Sequence, residues 1–321
     1  MAKKNIKNLF NKLFPTITHM QKKIRGASRY QSRFLSRLEK EPLNADLHFQ
    51  YFLYCFKKRR TAIAYAELKT AEFLGANPKK IKQHKKTILQ ELPKTENMNH
   101  NQFFRLHSLS STIRKISKGD NTSVLDVGGG LGYLAQFLPD FQYCLAEPTI
   151  NGISGTDLPF ADKSFDFVVA CHVLEHIPPE SRELFLDQLL SKSKRGLILL
   201  NPFFIDAAHE EERLKLIYDV TGAAWAKEHL QCTHPRLEMI RNYCRKKELE
   251  FTIEVNGSLT TTMAMVFVDY FAQKAGISED LKTKINRFYN LKIANILDSK
   301  EYPNAYIIYI DQKKSKSEYP I

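Results

Sequence analysis

The residues best placed to do chemistry lie near the middle of the chain. Asp126-Val127-Gly128-Gly129-Gly130-Leu131-Gly132 follows the short apolar run SVLDV and runs into LGYLAQFL. Strand, glycine turn and helix in that order let a backbone approach a nucleotide-like ligand closely, because glycine turns tightly and carries no side chain. Glu147 ends the next apolar run, FQYCLAE, 21 residues after Asp126. A carboxylate there suits the hydroxyls of a ribose. Asp126 suits a cationic group, such as an amino group or a sulfonium-bearing chain. The spacing also admits a nicotinamide cofactor, although Gly128-x-Gly130-x-Gly132 lacks the sixth-position glycine of a dinucleotide fingerprint. A ligand-free Rossmann-like turn would have the same local pattern.

Four further side chains are candidates for proton transfer. His172 and His176 follow the long apolar run FDFVVAC, and Glu228 and His229 stand beside Trp225, the only tryptophan. In doubly wound sheets the C-terminal ends of the strands face the ligand crevice. The structural alternatives are that Glu175 and His176 cap the loop and the next helix, and that Trp225 anchors a surface helix. Cysteines 55, 144, 171, 232 and 244 are odd in number and never form a C-x-x-C pair. That argues against a disulfide framework and a thiolate zinc site, so no metal is expected and a reducing cytoplasm is the simplest setting.

The elements that must hold these residues read as two regions. From 119 to 321, SVLDV, FQYCLAE, FDFVVACHV and RGLILLN are strands separated by short connections, with PPESRELFLDQLLSKS a helix. The expected fold is α/β, Rossmann-like and doubly wound. Its sheet is mostly parallel with an antiparallel final strand, LEFTIEV and AYIIYID being the late strands, and a helical segment is inserted at about 205–235. Residues 1–118 read as a basic α-helical region with a helical hairpin at about 45–78. That hairpin is similar to one tetratricopeptide unit, but only one copy is visible.

Charge divides the chain in the same place. Residues 1–122 hold 26 Lys+Arg against 8 Asp+Glu, a net +18, and the remainder is net −5. The first 38 residues have no acidic side chain, and Ile6, Leu9, Phe10, Leu13 and Phe14 form one helical stripe. Such a segment can lie on an anionic membrane surface or pack on the rest of the protein; an organelle transit peptide is the third reading. No stretch approaches the ~20 apolar residues of a membrane span. The expected setting is cytoplasmic, with peripheral contact at an inner membrane surface through residues 1–38.

SVLDVGGGLGYLAQFLP, CLAEP, GTDLPFADKSFDFVVACHVLEHIPPE and RGLILLNPF, in this order and spacing, resemble the class I S-adenosylmethionine-dependent methyltransferases. The likeness is strong over about 119–203 and weaker through WAKEHLQ at 225–231; a poorly characterised bacterial type carries a similar W-x-x-EH segment. The resemblance implies S-adenosylmethionine as cofactor. By it, Gly128, Gly130 and Gly132 wrap the methionine, Asp126 bonds its amino group and Glu147 takes the ribose. Asp157 and Leu158 meet the adenine, and Cys171 and His172 line the methionine side. Two departures stand out. Gly129 leaves the loop unusually bare, and ten residues from Glu147 to Asp157 leave no room for a full helix, so the adenine wall is expected to be built by a loop.

Methyl transfer needs an in-line nucleophile and, for oxygen or carbon acceptors, a general base. His172, His176, Glu228 and His229 are the candidates, with the inserted segment around Trp225 covering the acceptor. NPFF at 201–204 invites comparison with the N-P-P-Y loop of amino-group methyltransferases. In the family's strand count, however, that loop follows the fourth strand and NPFF the fifth. No cysteine has the Pro-Cys context of base C5 enzymes. The leading expectation is a small-molecule or lipid-linked or glycan acceptor. The alternatives are an RNA methyltransferase gripping RNA with its basic half, and a non-catalytic cofactor-binding partner protein.

Overall fold

A parallel strand buried on both faces needs a helical layer on each side, and the short connections of this chain supply too little cover for one of them. The computed structural model describes residues 29–117, 121–203, 207–293 and 303–314. The stripe Ile6–Phe14 lies outside these residues. Five described helices precede the sheet: α1 (Arg29–Leu38), α2 (Ala45–Lys57), α3 (Thr61–Phe73), α4 (Pro78–Glu91) and α5 (His100–Ile116). Asn44, Asn77 and Asn99 cap α2, α4 and α5 with side-chain oxygens that accept first-turn N–H groups.

The rest alternates strand and helix. β1 (Ser123–Val127), α6 (Leu134–Phe137), β2 (Gln142–Ala146), α7 (Pro148–Asn151), β3 (Phe165–Cys171), α8 (Arg182–Lys192) and β4 (Ser193–Asn201) come first. Then follow α9 (Ala207–Thr221), α10 (Ala224–Leu230), α11 (Leu237–Lys246), β5 (Leu249–Ser258), α12 (Leu259–Lys274), α13 (Glu279–Phe288) and β6 (Pro303–Lys314). The sheet order is β2-β1-β3-β4-β6-β5. β1 to β4 run parallel, and β6 runs antiparallel to both neighbours, as the expected α/β doubly wound fold requires.

Side chains alternate between the two faces. Val124, Tyr143, Phe167 and Ile198 join the core under α1–α5, whereas Leu125, Cys144, Val168 and Leu197 join the core under α8 and α11. The helices upstream of residue 119 thus form one of the sheet's two helical layers. The connections explain why. α6 and α7 have four residues each, and no strand forms between β2 and β3. LGYLAQFL forms only the short α6, because Gly132 takes a left-handed φ of +73° that breaks the helix at its start. By chain order Asn201 therefore ends the fourth strand, one fewer than the family's count, though β4 still lies one strand beyond β3, the neighbour of β1. The inserted segment forms α9 and α10. With α12 it builds a small separate core in which Leu214, Ile217 and Ala226 pack with Val266 and Phe267.

Helix α3 is the seam between the helical layer and edge strand β2. Thr70 Oγ1 accepts the Leu145 N–H at 3.0 Å, and Lys69 Nζ donates to the carbonyls of Leu138 and Pro139. An edge strand that would otherwise display unpaired backbone is covered. Beneath this seam lies a fully buried polar knot. Glu67 Oε2 sits 2.6 Å from His48 Nδ1, and Glu67 Oε1 accepts from Asn151 Nδ2 at 3.0 Å. His48 Nε2 faces the Pro42 carbonyl, so both ring nitrogens meet acceptors. Burial would lower the His48 pKa, but the Glu67 carboxylate outweighs it and the net shift is upward. Asn151 also accepts the Glu147 N–H and donates to Leu145 O, which carries the knot to the turn after β2.

Removing Glu67 would leave His48 and Asn151 buried without their shared acceptor. Glu67→Ala is expected to cost about 3–5 kcal/mol, the usual loss when one partner of a buried charged pair goes. Urea unfolding of parent and variant measures it, and a loss below about 1 kcal/mol would contradict the bridging role.

Candidate active site

Because β1 to β4 are parallel, their C-terminal ends meet at one edge. The glycine loop leaves β1 there, Glu147 follows β2, His172 follows β3, and Asn201 closes β4. Antiparallel β6 begins at the same edge, with Tyr306 opposite Asn201. A small pocket opens at this edge between the start of α5 and the start of α12, with Arg105, Thr261 and Asn304 in its lining.

The glycines divide their work. Gly128, Gly130 and Gly132 all have positive φ. A Cβ on Gly128 would lie 2.4 Å from Val173 Cγ2, and one on Gly132 would lie 2.3 Å from Ala66 Cβ of α3. Those two are packing glycines. Only at Gly130, φ +55°, would a Cβ meet open space. The bare Gly129 also has a structural cause, since a Cβ there would run into the Asp126 carboxylate at 2.2 Å.

Glu147 binds the loop as well as facing it. Its Oε2 accepts the Gly130 N–H at 3.1 Å, and its Oε1 accepts Thr149 N–H and Oγ1–H. A carboxylate has about four acceptor positions, so capacity remains on Oε2. Asp126 is buried beneath the loop and accepts from the Tyr143 hydroxyl at 2.7 Å. Burial pushes its carboxyl up to about 7, against the Tyr143 hydrogen bond and with the help of the Glu147 charge. Leu158 is buried in the core under α8, whereas Asp157 is exposed. The residues between α7 and β3 form turns and no full helix, as their spacing predicts.

The second cluster begins where β3 ends. Burial pushes the Cys171 thiol up to about 12. His172 takes a left-handed φ of +56°, rare for a residue with a side chain, and its N–H donates to Leu200 O on β4. The single helical turn Leu174–His176 then brings Glu175 inward. Glu175 is 2% exposed and is held by the Asn201 side-chain amide through Oε2. Its Oε1 lies 3.3 Å from His172 Nδ1, outside hydrogen-bond geometry. Burial alone would raise the Glu175 pKa, but the flanking His172 and His176 rings hold it below the usual carboxylate range. Glu175 therefore does not cap the following helix.

Helix α10 closes over this cluster. His176 and His229 rings are 5.4 Å apart, and Glu228 Oε1 is 3.7 Å from His176 Nδ1. Trp225 meets the His229 ring edge-on at 5.8 Å, with the indole partly exposed. His234 Nε2 contacts the His229 carbonyl, and Cys232 Sγ lies 3.8 Å from His176 Nδ1. Burial depresses His229 to about 4, so its imidazole is neutral at pH 7. The fold thus brings His172, His176, Glu228 and His229 together across more than 50 residues of sequence, and Val173, next to His172 in the chain, packs against Gly128 of the loop. Sequence reasoning did not single out Tyr143, Thr149, Cys232 or His234. Only the close spacing of E-H-L-Q-C-T-H signalled the last two.

A doubly wound sheet with a glycine loop, a carboxylate after the second strand and a histidine–glutamate cluster on one edge is the arrangement of a nucleotide-cofactor enzyme fold. A family model described as a methyltransferase domain matches residues 77–251, more than half of the chain, and the protein belongs to that family. No curated protein matches it. Among solved structures it is similar to phosphoethanolamine N-methyltransferase 2 of Haemonchus contortus. The identity is 13% and the TM-score 0.39, covering 64% of this chain and 52%, about half, of that one. It is also similar to an S-adenosylmethionine-dependent methyltransferase of Archaeoglobus fulgidus, with 18% identity, TM-score 0.38, and 65% and 96% of the two chains covered. A third, from Thermotoga maritima, has 14% identity and TM-score 0.40, with 72% and 98% covered.

The buried Asp126 gives a pH test. Between about 4, where the unfolded carboxyl titrates, and about 7, the folded protein keeps a proton that the unfolded chain has released. The stability it contributes at low pH is therefore lost as pH rises through about 7. Asp126→Asn removes that dependence and still accepts from Tyr143. In ligand-free protein its Tm should gain on the parent's from about pH 4 to about pH 7 and level off above that. Two parallel Tm–pH curves would show that Asp126 does not titrate in this range.

Proposed function

We propose that this protein is an S-adenosylmethionine-dependent methyltransferase acting on a small-molecule, lipid-linked or glycan acceptor bound beneath α10. One arrangement carries the reading: an open glycine turn at Gly130 lies on the same sheet edge as the cluster of His172, Glu175, His176, Glu228 and His229. The residues fit an adenosyl ligand. A Cβ-free surface at Gly130 gives backbone access, Glu147 keeps acceptor capacity for ribose hydroxyls, and a bound cationic amino group would favour the ionised form of the buried Asp126 carboxyl. In this assignment Gly128 and Gly132 shape the loop, Leu158 and Asp157 border the adenine, and Cys171 and His172 border the methionine. When bound, S-adenosylmethionine supplies an electrophilic methyl group on a sulfonium.

The chain's own groups do the rest. The neutral His229 ring, with His176 and Glu228, can take a proton from an acceptor hydroxyl or amine. His172 Nε2 and Asn201 Oδ1 are buried without partners among the described residues, so they are available to orient a polar acceptor. Trp225 beside His229, and Phe271, Phe288 and Leu291 exposed on or beyond α12 and α13, favour an amphiphilic acceptor over a polyanion. No described helix is long and apolar enough to cross a membrane. The reading includes peripheral contact with an anionic surface through residues 1–38, supported by their charge and stripe.

Three measurements test this. Gly130→Ala should fold, at a cost of about 1–2 kcal/mol for its left-handed backbone, and should weaken S-adenosylhomocysteine binding in calorimetry at least roughly tenfold. Unchanged affinity would remove the loop from the cofactor site. Labelled methyl transfer should appear in lipid, glycan or small-molecule pools and not in RNA; an RNA-only product would reverse the acceptor assignment. Replacing Leu9, Phe10 and Leu13 by Ser keeps every charge, so loss of binding to anionic vesicles would support an apolar contact and full retention would refute it.

A further inference from the structure

The cluster beneath α10 has more ligating groups than a general base needs. Glu175, His176 and His229 each offer one donor atom, and the three donors lie within 4.8 Å of one another. They come from two elements 53 residues apart, the turn after β3 and helix α10, so helical periodicity does not account for their meeting. Each donor also has a neighbour that fixes it. Asn201 Nδ2 engages Oε2 of Glu175 and leaves Oε1 without a hydrogen bond, although the residue is 2% exposed. Cys232 Sγ contacts His176 Nδ1 at 3.8 Å and Glu228 Oε1 stands 3.7 Å from the same nitrogen, on the side where a carboxylate could close in to hold a metal-bound ring. Trp225 and His234 flank His229 edge-on, limiting its rotation.

We infer that Glu175, His176 and His229 form a binding site for a divalent first-row transition cation. Two imidazoles and one carboxylate select such ions over calcium or magnesium, which prefer all-oxygen shells. Bonds of about 2.0–2.2 Å require donors roughly 3–3.5 Å apart, so the three side chains must draw in by about an ångström. Three protein donors leave positions open on the cation. The inference deepens the proposed function and rests on its placement of the acceptor here: an open position would take an acceptor oxygen, so the substrate would present a hydroxyl to this cluster, and with both histidines ligating, Glu228 rather than His176 or His229 would take its proton. Cysteine spacing signals no such site, because the ligands are histidine and glutamate and one of the two histidines lies on the inserted segment.

The test uses the untagged full-length protein, stripped with chelator and then titrated with Mn²⁺, Co²⁺ or Zn²⁺ as chloride. Calorimetry should find one cation per chain with micromolar or tighter affinity, and Co²⁺ should acquire visible bands from mixed nitrogen and oxygen ligation. Glu175→Gln, His176→Asn and His229→Gln should each weaken binding at least tenfold. Glu228→Gln should weaken it less, because it holds a ligand in place rather than ligating. Far-UV spectra and unfolding midpoints establish that each variant is folded, and the parent titration decides the matter even if a variant is not. No stoichiometric binding to the parent overturns the inference, and so does binding that survives all three ligand substitutions. Calorimetry with S-adenosylhomocysteine runs separately. Cation binding without cofactor binding would defeat the methyltransferase site while leaving the cation site standing, and the converse would do the opposite.

Discussion

The structure depends on how the first face of the sheet is covered. Parallel strands bury both faces, and the connections after β1 and β2 are too short to carry full helices over either of them. Helices α1–α5 fill that gap, and α3 lies against β2 closely enough for Thr70 to bond its backbone. The polar knot of Glu67, His48 and Asn151 fixes this contact in register. Asn151 accepts the Glu147 N–H, and Glu147 accepts the Gly130 N–H. A continuous set of hydrogen bonds therefore runs from the N-terminal hairpin to the glycine turn. The basic helical region is part of what positions the glycine loop.

The loop shows how one local pattern serves two purposes. Gly132 lets α3 approach, Gly128 admits Val173, and Gly130 remains open. Packing glycines flank the open one because the loop has protein on two sides and open space on the third. Val173 joins the glycine loop to the histidine cluster, since the turn that starts there delivers Glu175 and His176. Electrostatics in this crevice are shaped by burial. It keeps the Asp126 carboxyl protonated up to about 7 and the His229 ring neutral at pH 7. Groups in such a setting interact more strongly with a bound charge than they would in water.

The strand run from β1 to β4, the glycine turn, Glu147 and the antiparallel final strand were legible in the sequence. Each rests on local chemistry: apolar period, glycine placement, or a carboxylate at a strand end. The inserted helices were legible for the same reason. Helices α12 and α13 were not. The α12 sequence is mostly apolar with its polar residues at the two ends and at Asp269, yet only Met265 and Ala272 are buried, so no face stood out. The extent of α6 was overestimated because a helical pattern says nothing about Ala66 pressing on Gly132.

Tertiary structure alone decided which residues share a site. His176 and His229 were separate candidates in the sequence, and nothing in their spacing sets a ring separation of 5.4 Å. Glu175 reads in the sequence only as an alternative cap, yet it lies buried within the cluster, with its carboxylate held by Asn201 at the end of β4. The N-terminal helices read as a region apart, since amphipathic periodicity gives a buried face but not the partner that buries it. Sequence determines what each segment must hide and what each side chain can donate or accept. Which hidden faces meet, and which donors then converge on one point, is fixed only when the whole chain closes its core, because those contacts join residues far apart in sequence.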